Sequence, residues 1–337
     1  MDVLSEVLKT VKLESAFFYN AEFSAPWSFH SSDSCKLAPF INQTQGHVIV
    51  YHLLIEGRAR ACVAGECVPL RAGDIVIFPH GDSHSLENGT PDRAVDGESQ
   101  LQRIFSQGLA LARTGGGGEL TRFVCGYMVC EPQLSRVFLS GLPPVFKVNI
   151  REDESGQWLE NSIRHSIAAA AASGAGGGAV LAKLCEALFV ETLRRYIVEL
   201  PERQTGWLAG ARDREVGKVL ALMHRRPAEP WTIAGLAKEV GLSRSVLAQR
   251  FRQFLGEPPL AYLTRWRLQT GAQLLVSTSH SVGEIASRVG YDSEAAFNRA
   301  FKREFGKPPA RYRAESRQAA HQAEQHAPPG RRAATAS

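Results

Sequence analysis

The chain has 337 residues, 44% of them hydrophobic and 22% charged, with a formal net charge of +5. That length allows two ordinary domains, and the composition excludes a disordered or collagen-like chain. No apolar run reaches the ~18 residues that a membrane span needs. Met1–Lys12 alternates acids with apolar residues and lacks a basic start and apolar core, so no signal peptide and no membrane partner are expected.

In chain order, Asp2–Thr10 reads as a short helix with Val3, Leu4, Val7 and Leu8 on one side. From Leu13 to about Cys130 the pattern is that of strands. His47–Ile55 is rich in β-branched and apolar residues and stops at Glu56-Gly57. Short apolar stretches follow at Ala59–Val63, Cys67–Leu70, Ile75–Phe78 and Phe123–Cys130, with glycines at 57, 65, 73 and 81 between them. Such spacing predicts a closed or sandwich-like β domain. Thr90–Gln107 and the run Gly115–Gly118 read as a mobile surface loop. The six cysteines, at 35, 62, 67, 125, 130 and 185, form no CxxC pair. Buried thiols in strands are expected, within a reducing cytoplasm, and a redox switch is the alternative.

Helices take over from Ser155. One is expected over Trp158–Ala172 and a second over Ala179–Leu200. On the second, Leu181, Cys185, Phe189, Leu193 and Ile197 form one row, and Leu184, Leu188, Thr192, Tyr196 and Leu200 form its neighbour. That face is wide for a helix covering one surface. Part of it is expected to pack on the β domain and part on a second copy of the chain, as a homodimer contact. Pro201 ends the helix, and Glu202–Gly206 reads as a linker. After Arg313 no apolar period remains, and a disordered tail is expected.

The last third is basic. Between Glu215 and Glu315 lie 16 Lys/Arg against 9 Asp/Glu, about +7, leaving the remainder about −2. A basic domain joined to a near-neutral one suits a chain that holds phosphates with one end. The same region contains an internal repeat. Leu236-Ala237-Lys-Glu-Val240-Gly241-Leu242-Ser243 recurs as Ile285-Ala286-Ser-Arg-Val289-Gly290-Tyr291-Asp292. Phe251…Phe254…Gly256-Glu-Pro-Pro recurs as Phe301…Phe305-Gly306-Lys-Pro-Pro. Each copy has helix-turn-helix grammar: a small Ala where the second helix comes close, a Gly that reverses the chain, Ser243 or Ser293 as N-cap, and a second helix burying Leu247/Phe251 or Phe297/Phe301.

The faces left over carry Arg244, Ser245, Ala248, Gln249 and Arg252 in the first copy. The second offers Glu294, Ala295, Asn298, Arg299, Lys302 and Arg303. Gln and Asn can bond adenine bidentately and Arg guanine, and the small residues let a helix sink into the groove. Cations at the helix ends can neutralise phosphates. A helix of about 17 residues from Leu260 to Val276, ~25 Å long, lies between the copies. A rod of that length can set two recognition helices about one DNA turn, ~34 Å, apart.

Trp207–Arg313 closely resembles the DNA-binding domain of AraC/XylS transcription regulators. The resemblance rests on Trp231-Thr232, Leu236-Ala237, Gly241-Leu242-Ser243, Arg250-Phe251, Gly256-Glu-Pro-Pro, Tyr262-Leu263, Trp266-Arg267-Leu268, Ile285-Ala286, Val289-Gly290-Tyr291, Phe297–Lys302 and Gly306-Lys-Pro-Pro. It implies base contacts from Ser245, Ala248 and Gln249, then Glu294, Ala295, Asn298 and Arg299. Ala248 and Ala295 are too small to hydrogen-bond a base.

The N-terminal part resembles the cupins fused to such regulators. Gly73-x5-Pro79-x-Gly81-x2-His84-x3-Asn88 fits the second cupin motif, and Gly46-x5-His52 with Gly65 fits part of the first. The resemblance implies a small-molecule sensor followed by dimerising helices. A cupin metal site draws on more ligands than remain: Leu54 and Arg58 stand at two of the places, which leaves His52 and His84. Two imidazoles are a poor site for zinc, iron or manganese, although His30 or His47 could complete a set, so no metal and no cofactor are expected. The pair reads either as hydrogen-bonding an organic effector or as structural. Trp27 is a second effector candidate by stacking, against the plainer reading of a core Trp.

The expected architecture is α+β and multidomain: a cupin β-barrel over 1–150, a helical linker and dimerisation segment over 151–201, an all-α tandem helix-turn-helix domain over 207–313 and a disordered tail over 314–337. The expected function is a cytoplasmic, sequence-specific transcription regulator, not an enzyme. Its expected partners are double-stranded DNA, an unidentified small-molecule effector, a second copy of itself and RNA polymerase. The alternative is a cupin-type metalloenzyme with an appended DNA-binding domain.

Overall fold

The computed structural model describes residues 13–34, 47–90, 95–96, 112–130, 139, 141–171, 177–201 and 204–325. They fall into two compact units, one built from Leu13–Cys130 and Leu142–Glu199, the other centred on the residues from Leu200 onward. The expected helix at Asp2–Thr10, residues 91–94 and 97–107 of the expected loop and the final residues 326–337 lie outside the described residues.

The first unit begins with eleven strands: β1 (Leu13–Ser24), β2 (Trp27–Ser31), β3 (His47–Glu56), β4 (Arg58–Val63), β5 (Glu66–Arg71), β6 (Asp74–Phe78), β7 (His84–Asn88), β8 (Val95–Asp96), β9 (Ala112–Gly115), β10 (Leu120–Cys130) and β11 (Phe146–Asn149). Six form a sheet in the order β11-β6-β3-β10-β1-β9, and five form another in the order β5-β4-β7-β2-β8. Neighbours are antiparallel except for β1/β9 and β2/β8. Among the described residues no strand pair joins the two sheets, so the cupin region is an open sandwich rather than a hydrogen-bonded cylinder.

Alternation along the strands explains the core. On β3, Val48, Val50 and Leu54 point between the sheets, as do Val76 and Phe78 on β6, and Phe123 and Cys125 on β10. The smaller sheet answers with Phe29, Ala59, Ala61, Val63, Leu70 and Leu86. The alternate residues, Ile49, Tyr51 and Leu53 of β3 and Ile75 and Ile77 of β6, are equally buried. A strand buried on both faces reads as a continuous apolar run, and this is why His47–Ile55 shows no alternation.

The outer cover is helical. After a 3-10 turn at Ile150–Glu152 come α1 (Glu154–Ala171) and α2 (Gly177–Glu199). Cys185, Leu188 and Phe189 of α2 pack on Tyr51, Ile75, Ile77 and Met128 of the larger sheet. The expected row is therefore buried within its own chain, and Leu181 and Leu193 belong to the same face. Arg151 fixes this cover: it bonds both carboxylate oxygens of the buried Glu160, at 2.7 and 2.5 Å, and the Ile55 carbonyl at 2.7 Å. The glycine run is not a loose loop. Gly116 N–H donates to the Ser24 carbonyl and Gly118 N–H to that of Ala25, each at 2.8 Å, so these residues form a fixed turn against the end of β1.

The cysteines also differ from expectation. Cys62 and Cys67 face each other across the β4–β5 hairpin and form a disulfide. Cys125 and Cys185 are buried thiols, as expected. Cys35 and the side chain of Cys130 lie outside the described residues.

The second unit is all-α: α3 (Trp207–Arg212), α4 (Arg214–Arg225), α5 (Ile233–Val240), α6 (Arg244–Leu255), α7 (Pro259–Ser277), α8 (Val282–Arg288), α9 (Glu294–Phe305) and α10 (Pro309–Gln325). Helix α10 corrects the expected tail, because it runs twelve residues past Arg313. Tyr312 packs its ring 5.4 Å from those of Phe301 and Phe305, and Arg317 donates to the Thr278 carbonyl at 3.1 Å. A polar helix needs few such anchors when its partner offers orphan carbonyls at a helix end.

Candidate nucleic-acid interface and sensor core

Both helix-turn-helix copies fold as their repeat predicts. In the first, Gly241 ends α5 at φ 70°, and Ser243 caps α6 by accepting the Val246 N–H. In the second, Gly290 turns the chain at φ 85°, and Ser293 caps α9 by accepting the Ala296 N–H. Leu247, Phe251, Phe297 and Phe301 are fully buried, and so are Ala237 and Ala286 at the close approaches. The spacer α7 has 19 residues, about 28 Å at ~1.5 Å per residue.

Burying one side of α6 and α9 decides what the other presents. On α6, Arg244, Ser245, Gln249 and Arg252 are exposed, and Ala248 is half-buried. On α9, Glu294, Ala295, Arg299, Lys302 and Arg303 are exposed, with Asn298 half-buried beside them. Ser245 Oγ lies 3.1 Å from Ser243 Oγ, so its hydroxyl already touches the cap.

The cations of this unit differ in what already holds them. Arg250 is committed to Asp213 at 2.6 Å and Glu215 at 3.2 Å, and Arg265 pairs with Glu257. Arg267 donates to the Pro227 and Glu229 carbonyls, both at 2.7 Å, and Arg313 to those of Leu275 at 3.0 Å and His280 at 2.5 Å. These side chains hold loops in place. Arg267 and Arg313 replace missing helix-end partners of the backbone, a role that the charge count does not signal. Among the described residues no ion pair engages Arg244, Arg252, Arg299, Lys302 or Arg303. These five stay available for an external anion or base edge.

A polar cleft of about 540 Å³ opens beside the start of α9, lined by Arg267, Tyr291, Asp292, Ser293 and Glu294 among others. Its two carboxylates disfavour phosphate there. The last turn of α9 carries Lys302 and Arg303 instead.

Behind the first copy lies a buried aromatic network. Tyr262 OH accepts from Trp207 Nε1–H and donates to His224 Nε2, both at 2.8 Å. The His224 ring stacks on Trp266 at 3.9 Å. Burial pushes the His224 pKa down to about 3, so the imidazole is neutral at pH 7.

In the cupin region the structure brings His52 of β3 and His84 of β7 together, Nε2 to Nε2 at 2.9 Å. The direction of this bond follows from its neighbour. His84 Nδ1 lies 2.8 Å from the Asp82 carbonyl, which can only accept, so His84 carries its proton on Nδ1. His84 Nε2 is then an acceptor, and His52 donates from Nε2. His52 Nδ1 is left as a buried lone pair with no hydrogen-bond partner among the described residues. Around it stand Phe78, stacked on His84 at 3.6 Å, and Phe29 and Phe123, each just over 6 Å from the His52 ring. Burial pushes both pKa values down, that of His84 to about 4, so both rings are neutral.

Trp27 is not part of this pair. It is a core residue, stacked on Phe23 at 4.3 Å with its indole N–H donated to Thr121 Oγ1 at 3.3 Å. The cupin metal set does not fit these residues. Leu54 is buried in the core, and Arg58 is exposed and paired with Glu119 at 2.9 Å. His30 is exposed on the opposite face of β2 from Ser31, the partner of His84, and His47 contacts the Pro79 carbonyl at 2.5 Å. Neither completes a set with His52 and His84.

Residues 2–198 match a family model described as cupin, and residues 236–315 one described as helix-turn-helix domain. The RCS-specific HTH-type transcriptional activator RclR of Escherichia coli is 31% identical over 323 residues, covering 95% of this chain and all of that one. A putative AraC-like transcription regulator of Streptomyces lividans is 30% identical, covering 93% of this chain and 98% of its own. The HTH-type transcriptional regulator AlkR of Acinetobacter baylyi is 28% identical, covering 94% and 100%. Among solved structures, the DNA-binding domain of AdpA in complex with a target DNA is 33% identical, covering 31% of this chain and 95% of that one, with a TM-score of 0.30.

Proposed function

The chain belongs to the AraC-like transcription regulators that carry a cupin domain, and we propose that it reads its operator with the exposed faces of α6 and α9 while the cupin region holds a small effector. The observation that carries the DNA reading is the division of the cations. The arginines that hold the fold are engaged internally, and those on the two recognition faces are not. Gln249 on α6, and Asn298 and Arg299 on α9, are the base readers. Arg244, Arg252, Lys302 and Arg303 hold phosphates, and Ser245, Ala248, Glu294 and Ala295 line the faces that enter the groove. One chain then engages two successive major grooves on one side of the duplex.

Replacing Arg299 by Ala is expected to weaken operator binding by about 1–3 kcal/mol and to relax base preference at its position. Replacing Lys302 should weaken specific and non-specific DNA alike and lower the salt slope. Fluorescence anisotropy on operator and scrambled duplexes separates the two. An Arg299→Ala protein of undiminished selectivity removes that residue from base reading.

The effector reading rests on the lone pair of His52 Nδ1. A neutral acceptor inside an aromatic cage calls for a small apolar molecule carrying one O–H or N–H donor. Phenol is therefore expected to shift the His52 15N resonance of the full chain, and benzene, which lacks the donor, is not. Equal responses to both, or a phenol response that persists in His52→Phe, would remove the pair from effector binding.

A transcription regulator of this kind works in the cytoplasm, and no described helix is long and apolar enough to cross a membrane. Dimerisation and contact with RNA polymerase complete the proposal. Because the main apolar row of α2 is spent on its own sheet, the surface left for a second copy centres on Lys183, Ala187, Arg194 and Val198.

A further inference from the structure

The outer face of the smaller sheet carries a second cluster that neither DNA reading nor effector binding uses. Ala59, Ala61 and Val63 of β4 face the core, so alternation sends Arg60 and Cys62 to the other side. Ala64 and Gly65 form a two-residue turn with φ of 51° and 86°. That turn fixes the register that sets Cys62 directly opposite Cys67. From β7, Glu87 stands opposite Arg60 and reaches to 3.9 Å from Cys62 Sγ. The two sulfurs and a Glu87 oxygen all lie within 4.8 Å of one another.

We propose that Cys62, Cys67 and Glu87, with the cysteines in the dithiol form, are a binding site for one thiophilic divalent cation of the zinc class. Two thiolates favour a soft or borderline cation over magnesium or calcium. Tetrahedral zinc at ~2.3 Å from each thiolate needs sulfurs about 3.8 Å apart. A cross-strand pair with Cα atoms 4.1 Å apart reaches that separation by side-chain rotation alone. The charges also balance. Two thiolates and a carboxylate bring −3, the cation +2, and Arg60, whose guanidinium lies 2.6 Å from Glu87 Oε1, brings +1. Cys67 is exposed, so the site opens to solvent, and water fills the fourth position.

The disulfide and the metal exclude each other. A dithiol reductant breaks the S–S bond by thiol–disulfide exchange, leaves two thiols on the protein and becomes a disulfide itself. Each thiol then gives its proton to solvent as its sulfur binds the cation. A reducing cytoplasm favours the metal-binding form.

Cobalt(II) tests this as a coloured stand-in for zinc. The full-length chain, reduced with a dithiol that is then removed without air, is titrated with Co2+. A thiolate-to-cobalt charge-transfer band should saturate at one cobalt per chain and bleach on adding Zn2+. The oxidised chain, identical in sequence, should show no band, and Cys62→Ser and Cys67→Ser should lose it although four other cysteines remain. Glu87→Gln should keep the band but weaken binding roughly tenfold or more. No band in the reduced chain, or one that survives in either serine variant, overturns the site. Unchanged affinity in Glu87→Gln overturns the three-ligand assignment. Circular dichroism of each variant confirms folding, and the oxidised chain supplies a control that no substitution has touched.

Discussion

Truncating Phe297 to alanine is expected to cost about 3–5 kcal/mol of stability in the C-terminal unit and to take the second reader off the DNA. The Phe297 ring is fully buried among Leu268, Ala272, Ile285, Ala286 and Phe301. It lies so close to α7 that a Cβ built on Gly271 would meet its Cζ at 2.9 Å. That contact explains a glycine inside a 19-residue helix, where its backbone freedom otherwise weakens the helix by ~1 kcal/mol. Losing the ring leaves a cavity under α9, and the packing that orients Asn298 and Arg299 goes with it. Urea unfolding should show the midpoint falling, while Ala295→Ser, exposed on the same helix, stays within about 0.5 kcal/mol. Operator affinity should fall in Phe297→Ala even below its melting temperature. A loss under ~1 kcal/mol with normal operator binding would mean that α9 is held by something other than this ring.

The recognition helices were legible because their ends are written in local chemistry. Ser243 and Ser293 cap, Gly241 and Gly290 turn, Gly256 and Gly306 terminate, and the repeat states all of it twice. The buried and exposed faces of α6 and α9 then follow from helical period alone. The cupin region was legible in its strands and in the meeting of His52 with His84. Its closure was not, because alternation defines which face a residue takes and says nothing about where a sheet stops.

The glycine run reads as flexible from composition, but its N–H groups find the Ser24 and Ala25 carbonyls. The segment after Arg313 reads as disordered because its anchor is polar and distant: Arg317 holds the Thr278 carbonyl at the end of α7, 39 residues away. The Cys62–Cys67 pair depends on a hairpin register that the spacing leaves open. For the cysteines the partner is only five residues away and the hairpin register decides; in the other two cases the deciding partner is distant in sequence. The same holds for Arg267 and Arg313, whose partners are backbone carbonyls, and these leave no trace in residue identity.

Lowering the pH from 7 to 4 should destabilise both units before the carboxylates matter. His224 is neutral in the folded protein because burial pushes its pKa from 6.5 to about 3. The unfolded chain takes up that proton near 6.5, so this stability is fully present above pH 6.5 and is lost as pH falls toward 3. Each unit of separation is worth ~1.4 kcal/mol, which gives a loss of about 2 kcal/mol at pH 5 and about 3 at pH 4. In the cupin region His84, lowered to about 4, contributes a similar loss over the same range, and His52 acts in the same direction. Glu191, held below the usual carboxylate range by hydrogen bonds from Arg194 and Arg195, acts in the same direction but at lower pH: its contribution is present above its ordinary value of 4.5 and is lost only below it. The histidine window therefore opens first. Urea midpoints at pH 7, 6 and 5 should fall steadily for both units. His224→Gln keeps an acceptor for Tyr262 without a titrating ring, and it should flatten the C-terminal profile while leaving the cupin profile unchanged. Midpoints that stay level down to pH 5 would mean that water reaches these rings, and that the aromatic packing around His224 and His52 is looser than the ring distances of 3.9 and 6.0 Å to Trp266 and Phe78 imply.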